Sequence, residues 1–236
     1  MSRRTVLMLG ILATVGGFFA VAADWYSVWT GRHEMDTAFA VGLAGMIDTF
    51  AAKSPADMET GSYLGLYFIP LHGVGLYLVY VATRPASRAL SIAVFAAGLY
   101  TTAIGTAVHA SLVYVGIVTR TGETASIEAM TRFFDITAYS MVALILFIAT
   151  GLSVLILSGR SIYPRWAFFV SPMGLMMIST VLFFALPDGA RDVKEFLTIA
   201  GFNLPMAIFH AFTTGLLLKA ERDLRYTGRL PAGRRS

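Results

Sequence analysis

The chain has 236 residues and a net charge of +4, with 56% hydrophobic and only 14% charged side chains. A soluble domain carries about 25% charged residues, so this composition indicates an integral membrane protein. Cysteine is absent, which excludes disulfides, thiolate nucleophiles and thiolate metal sites. The first apolar run exceeds the core of a signal peptide and has no small-residue cleavage site before Asp24. We expect it to remain as a spanning helix.

Six segments contain the roughly 20 mostly apolar residues that a helix needs to cross a bilayer. The sequence therefore predicts one all-α domain over residues 1–236, a polytopic membrane protein built as a bundle of six transmembrane helices. The segments are residues 5–24, 61–83, 89–118, 133–158, 166–187 and 196–218. A loop, 25–60, follows the first segment, and a basic tail, 219–236, follows the last. Within the loop, residues 38–52 are apolar enough for a surface-lying or re-entrant helix.

The charges between these segments predict an orientation, because cytoplasmic loops collect Lys and Arg. Most of the 18 basic residues fall in the two termini and in the loops around Arg84 and Arg160, whereas only Glu221 and Asp223 of the 14 acidic residues lie there. We expect an inner (plasma) membrane protein with both termini in the cytoplasm and the loop 25–60 outside. Topology and contact with anionic lipids then explain the basic charge, and no nucleic-acid partner is expected.

Ionisable residues inside spanning segments are rare and usually face the bundle interior, so each is a candidate for a functional site. His72 follows Pro70, whose ring loosens the second segment. His109 lies on a stripe of small residues in the third segment. Asn203 and His210 are seven positions apart, and hence on one face of the sixth segment.

Three intramembrane histidines could indicate a metal site, because imidazole is a common ligand. At a rise of about 1.5 Å per residue, however, we expect His109 at a different depth from His72 and His210. No HxxxH or HxxE spacing accompanies them. We therefore predict no metal and no other cofactor, and we expect neutral histidines that form hydrogen bonds between helices.

Three carboxylates on the outer side are candidate catalytic residues, together with His109. Glu59 and Asp135 stand near the beginnings of spanning segments, where the helix dipole favours an acid, so capping would explain them. Asp24 ends the first segment, where the dipole opposes a negative charge. Asp24 is thus the acid least explained by helix structure and the preferred candidate for a proton donor.

Aromatic side chains are expected in the same outer region. An interfacial belt explains part of them, whereas deeper rings could stabilise a cation through their faces. A carboxylic acid kept protonated by an apolar pocket could then protonate an isoprenoid alkene beneath them. With His72, Asn203 and His210, the candidate substrate-binding residues are Trp25, Tyr63, Tyr67, Phe68, Tyr100 and Tyr139.

In the stretches DWYSVW, GSYLGLYFIPLH, GTAVHASLVY, RFFDITAY and GFNLPMAIFHAFTTG, the chain resembles the small integral-membrane terpene cyclases of bacterial terpenoid-alkaloid pathways, which form drimane units on prenylated indoles or cyclodipeptides. The resemblance implies a metal-free cyclase in which an acidic side chain protonates a terminal alkene or epoxide and aromatic rings hold the carbocation. The DDxxD and DxDD patterns of other terpene cyclases are absent. Fungal cyclases of this function usually have seven helices, so six is a departure.

Two further functions fit the same residues. An intramembrane isomerase of sterol or lipid double bonds would also combine acids, histidine and aromatic rings. A non-enzymatic lipid-binding, transport or assembly protein would use the polar residues for interhelical hydrogen bonds and the aromatic rings as an interfacial belt. For the cyclase and for the isomerase, the expected partners are a prenylated small molecule or lipid substrate and the membrane lipids.

Overall fold

A computed structural model describes the backbone of residues 1–29 and 47–227 and the side chains of residues 1–29 and 49–222. These residues form helices and no strand, which confirms the predicted all-α class. The helices are α1 (Arg3–Val28), α2 (Ile47–Ala52), α3 (Pro55–Phe68), α4 (His72–Thr83), α5 (Arg88–Thr121), α6 (Thr124–Leu157), α7 (Pro172–Ala185), α8 (Arg191–Ile199) and α9 (Asn203–Thr227).

Several of these helices are long and apolar enough to cross a membrane. In the part of the chain that the structure describes, four spans meet this test: α1, the pair α3–α4, α5 and α6. Helices α8 and α9 meet it together as one broken span, bent by 65°. The predicted segment 166–187 divides into a 3-10 helix, Arg165–Val170, and α7, which is apolar but has 14 residues, fewer than the roughly 20 that a span needs. The chain is a helical membrane protein, and its described residues contain four spans by this measure, or five with the bent pair.

Helix α6 begins well before the predicted start at residue 133. Gly122, with a φ of 68°, ends α5 in the left-handed conformation that glycine adopts without strain. Helix α6 then starts at Thr124, so Asp135 lies inside the helix rather than in its first turn. The prediction that Asp135 caps this helix is therefore wrong.

Helix α3 likewise begins earlier than the predicted segment 61–83. Its N-cap is Ser54, whose hydroxyl accepts a hydrogen bond from the backbone N–H of Asp57 at 3.0 Å. The acidic residue of the first turn is Asp57, which the helix dipole favours there. Glu59 lies beyond that turn and is exposed, so the capping role predicted for Glu59 is also wrong.

Helix α1 packs against α9, α3 and α4 through small residues. A Cβ atom at Gly17 would lie 2.7 Å from the Cβ of Ala207. At Gly61 it would lie 2.9 Å from the carbonyl oxygen of Ala23. Both separations are shorter than a carbon contact, so the two glycines allow their helices to approach backbone to backbone.

Buried apolar side chains form two clusters along α5. Val94, near its beginning, packs with Leu78 and Leu152, whereas Leu112, near its end, packs with Met58 and Phe134. Buried polar side chains that belong to neither cluster include His72 and His210.

Two helix breaks determine where polar side chains enter the bundle. Pro70 lies in a 3-10 turn, Ile69–Leu71, that separates α3 from α4, so the predicted loosening is confirmed. Residues 200–202 separate α8 from α9. As a result, His72 and Asn203 are each the first residue of a helix. Of the predicted loop helix 38–52, residues 38–46 lie outside the described residues, and residues 47–52 form α2.

Candidate functional site

Five side chains from four helices form a continuous series in the bundle interior, joined by three hydrogen bonds and by one contact within ion-pair distance, and we call this series the polar chain. His72 Nδ1 lies 3.1 Å from Nε2 of His210, and His72 Nε2 lies 3.1 Å from Oδ1 of Asn203. Asn203 Nδ2 donates to Oδ2 of Asp24 at 2.7 Å. The other carboxylate oxygen, Oδ1 of Asp24, lies 3.2 Å from Nε2 of His109. The polar chain thus links α9, α4 and α1 to α5.

Glycines make room for two of these imidazole rings. A Cβ atom at Gly65 would collide with the ring of His109, and one at Gly75 would collide with the ring of His210. Both rings are buried, and their Nδ1 atoms have no hydrogen-bond partner among the described residues. Each ring is therefore held by the contact of its Nε2 atom and by close packing on a glycine.

A cavity of about 170 Å³ lies beside the polar chain. Asp24, His72, His109 and Asn203 line it on one side. The rest of the lining is apolar apart from threonines of α5, and Thr102 donates its hydroxyl to the Gly98 carbonyl of its own helix at 2.8 Å. The ionisable groups among the lining residues all belong to the polar chain.

The volume of this cavity limits what it can hold. A cavity of about 150 Å³ accommodates benzene, whereas pockets for drug-sized ligands measure about 300–1,000 Å³. The lining includes several long, adaptable side chains, among them Met141, Met176 and Met206. The cavity can therefore enclose a small apolar group or a short segment of a lipid chain.

The position of Asp24 follows from the helix that it faces. Asp24 lies near the C-terminal end of α1, where the dipole of its own helix is unfavourable. Its carboxylate, however, meets Asn203, the first residue of α9. The positive end of the α9 dipole favours a negative charge there. Both carboxylate oxygens are engaged, one with Asn203 and one with His109.

A family model matches residues 1–219. The chain belongs to this family, the Family of unknown function (DUF6796). No curated protein and no solved structure matches the chain. The matched region contains the whole polar chain and the complete cavity lining.

The structure brings together some of the predicted polar residues and leaves others apart. Asp24, His72, His109, Asn203 and His210 form the polar chain. The other two predicted acids are absent from the cavity lining. Glu59 is exposed on α3, and Asp135 is half-buried on α6.

The predicted aromatic residues also lie away from the cavity. Trp25 stacks on Trp29 at a centroid distance of 4.0 Å, and Phe68 stacks on Phe19 at 4.3 Å. The four predicted tyrosines each expose more than half of their surface: Tyr63 52%, Tyr67 67%, Tyr100 63% and Tyr139 58%. The aromatic ring that lines the cavity, other than imidazole, is Phe202.

The described histidines do not converge as metal ligands would. Among the side chains that the structure describes, in residues 1–29 and 49–222, no group of three His, Asp or Glu residues is arranged to hold an ion. His72 and His210 meet each other, whereas His109 reaches them only through Asp24 and Asn203. Sequence reasoning missed the glycines under the rings, although Gly65 and Gly75 stand in the same GSYLGLYFIPLHGVGLY stretch as His72.

Proposed function

We propose that this protein is a membrane-embedded enzyme that adds a proton to the alkene of an isoprenoid or related lipid chain and removes one from the resulting cation. The observation that carries the proposal is the pair of Asp24 and His109, in contact at 3.2 Å on the wall of an apolar cavity. Proton transfer by a positioned acid and base is typically worth about 10²- to 10⁴-fold in rate. An apolar cavity suits a hydrocarbon and excludes water from the cation.

The pair can act as both acid and base when it holds one proton between the two side chains. Donation of that proton to one alkene carbon breaks the O–H or N–H bond, forms a C–H bond and leaves a cation on the neighbouring carbon. The Asp24 carboxylate then takes a proton from the carbon on the far side of the cation. The double bond has moved by one position, the pair is protonated again, and no co-reactant is consumed.

Migration of a double bond fits the cavity better than cyclisation does. Cyclisation of a prenylated small molecule, which the resemblance implies, starts with the same proton transfer but requires a folded chain and a cage for the migrating charge. The cavity measures about 170 Å³, and apart from imidazole rings the described residues that line it contribute one aromatic ring, that of Phe202. We therefore favour isomerisation, and product analysis separates the two outcomes.

A second candidate, non-enzymatic lipid binding or transport, is favoured by the helix breaks at the site. Substrate sites of membrane transporters are commonly formed by discontinuous helices whose ends face the ligand. Here the breaks at Ile69–Leu71 and at residues 200–202 directly precede His72 and Asn203. In this case the polar chain would bind the polar end of a lipid without reacting with it.

The proposed orientation places both termini in the cytoplasm and the protein in the inner (plasma) membrane. The distribution of Lys and Arg along the sequence supports it. The polar chain would then lie nearer the outer side, because Asp24 is in the second half of the N-terminal span.

Deuterium transfer tests the proposed chemistry whichever product is formed. The purified protein in nanodiscs would be incubated in D₂O with farnesol and with a farnesylated indole as probes. We expect carbon-bound deuterium in the recovered lipid, measured by mass spectrometry, with the new double bond or ring identified by NMR. Asp24→Asn should lower the rate by at least about 10²-fold.

The matched control is Asp188→Asn, which makes the same carboxylate-to-amide change at a fully exposed side chain. It should retain the wild-type rate. Absence of carbon-bound deuterium with the folded wild-type protein contradicts the enzymatic proposal, and retention of either probe on that protein then supports the binding alternative. Full activity of Asp24→Asn contradicts the role of Asp24.

A further inference from the structure

The hydrogen bonds of the polar chain run in one direction from donor to acceptor, and the chemistry of the Asn203 amide determines that direction. The amide oxygen of Asn203 can only accept a hydrogen bond, so the His72 Nε2 atom that lies 3.1 Å away must carry the hydrogen. A neutral imidazole carries one N–H, and His72 Nδ1 is therefore an acceptor. The hydrogen of the contact between His72 and His210 must then be on Nε2 of His210.

The same logic continues to Asp24. The Asn203 amide nitrogen donates to Oδ2 of Asp24 at 2.7 Å. Nε2 of His109 faces Oδ1 from the other side at 3.2 Å. Every hydrogen from His210 through His72 and Asn203 therefore points toward Asp24, and an ionised carboxylate can accept at both oxygens.

We infer that Asn203, His72 and His210 form a positioning arm that holds Asp24 as an ionised acceptor, with both arm histidines in the Nε2–H tautomer, and that His109 is the residue that exchanges a proton with Asp24. The catalytic part of this inference rests on the proposed function. The tautomers and the direction of the hydrogen bonds rest on geometry alone.

The arm orients Asp24 and does not conduct protons to it. Asn203 separates His72 from Asp24, and an amide passes a proton on only by becoming an imidic acid. His109, in contrast, touches the carboxylate directly. An imidazolium at His109 can give its Nε2 proton to Oδ1 of Asp24 in one step, which breaks one N–H bond and forms one O–H bond.

If Asp24 carried a proton on Oδ2, every hydrogen bond of the arm would have to reverse its direction. The structure opposes this reversal. The amide of Asn203 would have to rotate, and both arm histidines would have to change to the Nδ1–H tautomer. The Nδ1–H of His210 would then face Gly75, where no acceptor lies among the described residues. Protonation of His109 also directs an N–H without an acceptor against Gly65. The attraction between the resulting cation and the Asp24 carboxylate, 3.2 Å away, offsets the cost of that unpaired N–H.

The tautomers can be measured directly, since the sequence has four histidines. Protein with ¹⁵N-labelled histidine in nanodiscs would be studied by long-range ¹H–¹⁵N NMR, with each signal assigned by substitution of one histidine. We expect protonated Nε2 and unprotonated Nδ1 at both His72 and His210. An Nδ1–H tautomer or an imidazolium at either residue overturns the positioning arm.

Asn203 offers a second, independent signal because it is the only asparagine in a sequence without glutamine. A ¹⁵N-labelled Asn side chain therefore gives one pair of amide proton signals. We expect one of the two protons to shift downfield through its bond to Asp24 and to lose that shift in Asp24→Leu. An amide signal that is the same in both proteins overturns the contact.

The activity assay separates the two roles. His109→Gln should lower deuterium transfer at least about 10²-fold, whereas His210→Phe should lower it less and should leave His72 in the Nε2–H tautomer, because the Asn203 oxygen still accepts from it. A larger loss in His210→Phe than in His109→Gln overturns the assignment of roles. If the tautomers are as expected but the wild type transfers no deuterium, the arm stands and the proposed function fails.

Discussion

Nδ2 of Asn203 lies 2.7 Å from Oδ2 of Asp24, although the two residues are 179 positions apart in the chain. One stands near the end of α1 and the other begins α9. The close approach of these helices at Gly17 and Ala207 makes the contact possible. A carboxylate that opposes the dipole of its own helix is thus stabilised by the helix packed against it.

Substitution of Gly75 by alanine should destabilise the protein. The new Cβ atom would collide with the ring of His210, which is fully buried and held by His72. Overpacking of this kind typically lowers the free energy of unfolding by about 1–3 kcal/mol. The measurement is unfolding by titration with SDS from mild-detergent micelles, followed by circular dichroism.

Gly215→Ala is the matched control, because it makes the same change in a helix at a position with nothing within 4 Å. Alanine favours a helix over glycine by about 0.5–1 kcal/mol, so this variant should be as stable as the wild type or more stable. Equal stability of Gly75→Ala and Gly215→Ala would show that the ring of His210 does not pack on Gly75.

A buried tyrosine hydroxyl provides a test of the core beside α9. Thr213 donates its hydroxyl hydrogen to the carbonyl of Phe209 at 2.7 Å, so the hydroxyl of Tyr163 must be the donor in its 2.7 Å bond to Thr213. Burial raises the pKa of the Tyr163 phenol, and the group therefore stays protonated where exposed tyrosines ionise.

Tyr163→Phe should lower the free energy of unfolding by about 0.5–1.5 kcal/mol, since it removes one hydrogen bond and leaves Thr213 its bond to the backbone. Thr213→Val should lower it by more, by about 1–3 kcal/mol, because it leaves the Tyr163 hydroxyl buried without an acceptor. Tyr100→Phe, at an exposed ring, is the control and should change little. The reverse order of the two core variants would contradict the donor assignment.

Sequence reasoning found the polar residues of the site more readily than their arrangement. Asp24, His72, His109, Asn203 and His210 stand out because an ionisable or amide side chain within an apolar segment needs a partner. Their pairing depends on the 3-10 turn at Pro70 and on the break before α9. Those breaks set the rotation of each helix, which the spacing of residues in one segment does not reveal.

The depths expected for the aromatic side chains did not predict which rings lie in the interior, for a related reason. In a membrane bundle, the faces toward lipid and toward the core are both apolar, so periodicity does not distinguish them. The sequence therefore made Tyr67 and Tyr100 as suitable for the interior as His72, but more than 60% of the surface of each tyrosine residue is exposed. The caps assigned to Glu59 and Asp135 failed because α3 and α6 extend beyond their apolar stretches.

The absence of cysteine makes the proposed orientation directly testable. Single cysteines would be introduced at Ser54, which is exposed at the N-cap of α3, and at Ser236, and intact cells would be treated with an impermeant maleimide. We expect labelling at position 54 and protection at position 236 until the cells are permeabilised. The opposite pattern would reverse the proposed topology.

A larger side chain at Gly105 should fill the cavity without disturbing the polar chain. A Cβ atom there would have only ordinary contacts, at 3.7 Å from Cγ2 of Ile69 and 3.8 Å from the sulfur of Met141, and Gly105 lines the cavity. Gly105→Leu should therefore preserve or raise the stability, since leucine favours a helix over glycine and occupies empty space. It should also abolish deuterium transfer to farnesol, because the isobutyl group occupies the space required by the alkene.

Gly105→Ala and Gly215→Leu serve as controls for this variant. The first adds one carbon and should keep much of the activity, and the second adds leucine where nothing lies within 4 Å and should leave activity unchanged. The tautomers of His72 and His210 should be the same in all three proteins, since none of the substitutions touches the polar chain. Wild-type deuterium transfer by a stably folded Gly105→Leu would show that the substrate binds elsewhere, and the cavity would then have to be abandoned as the site of the reaction.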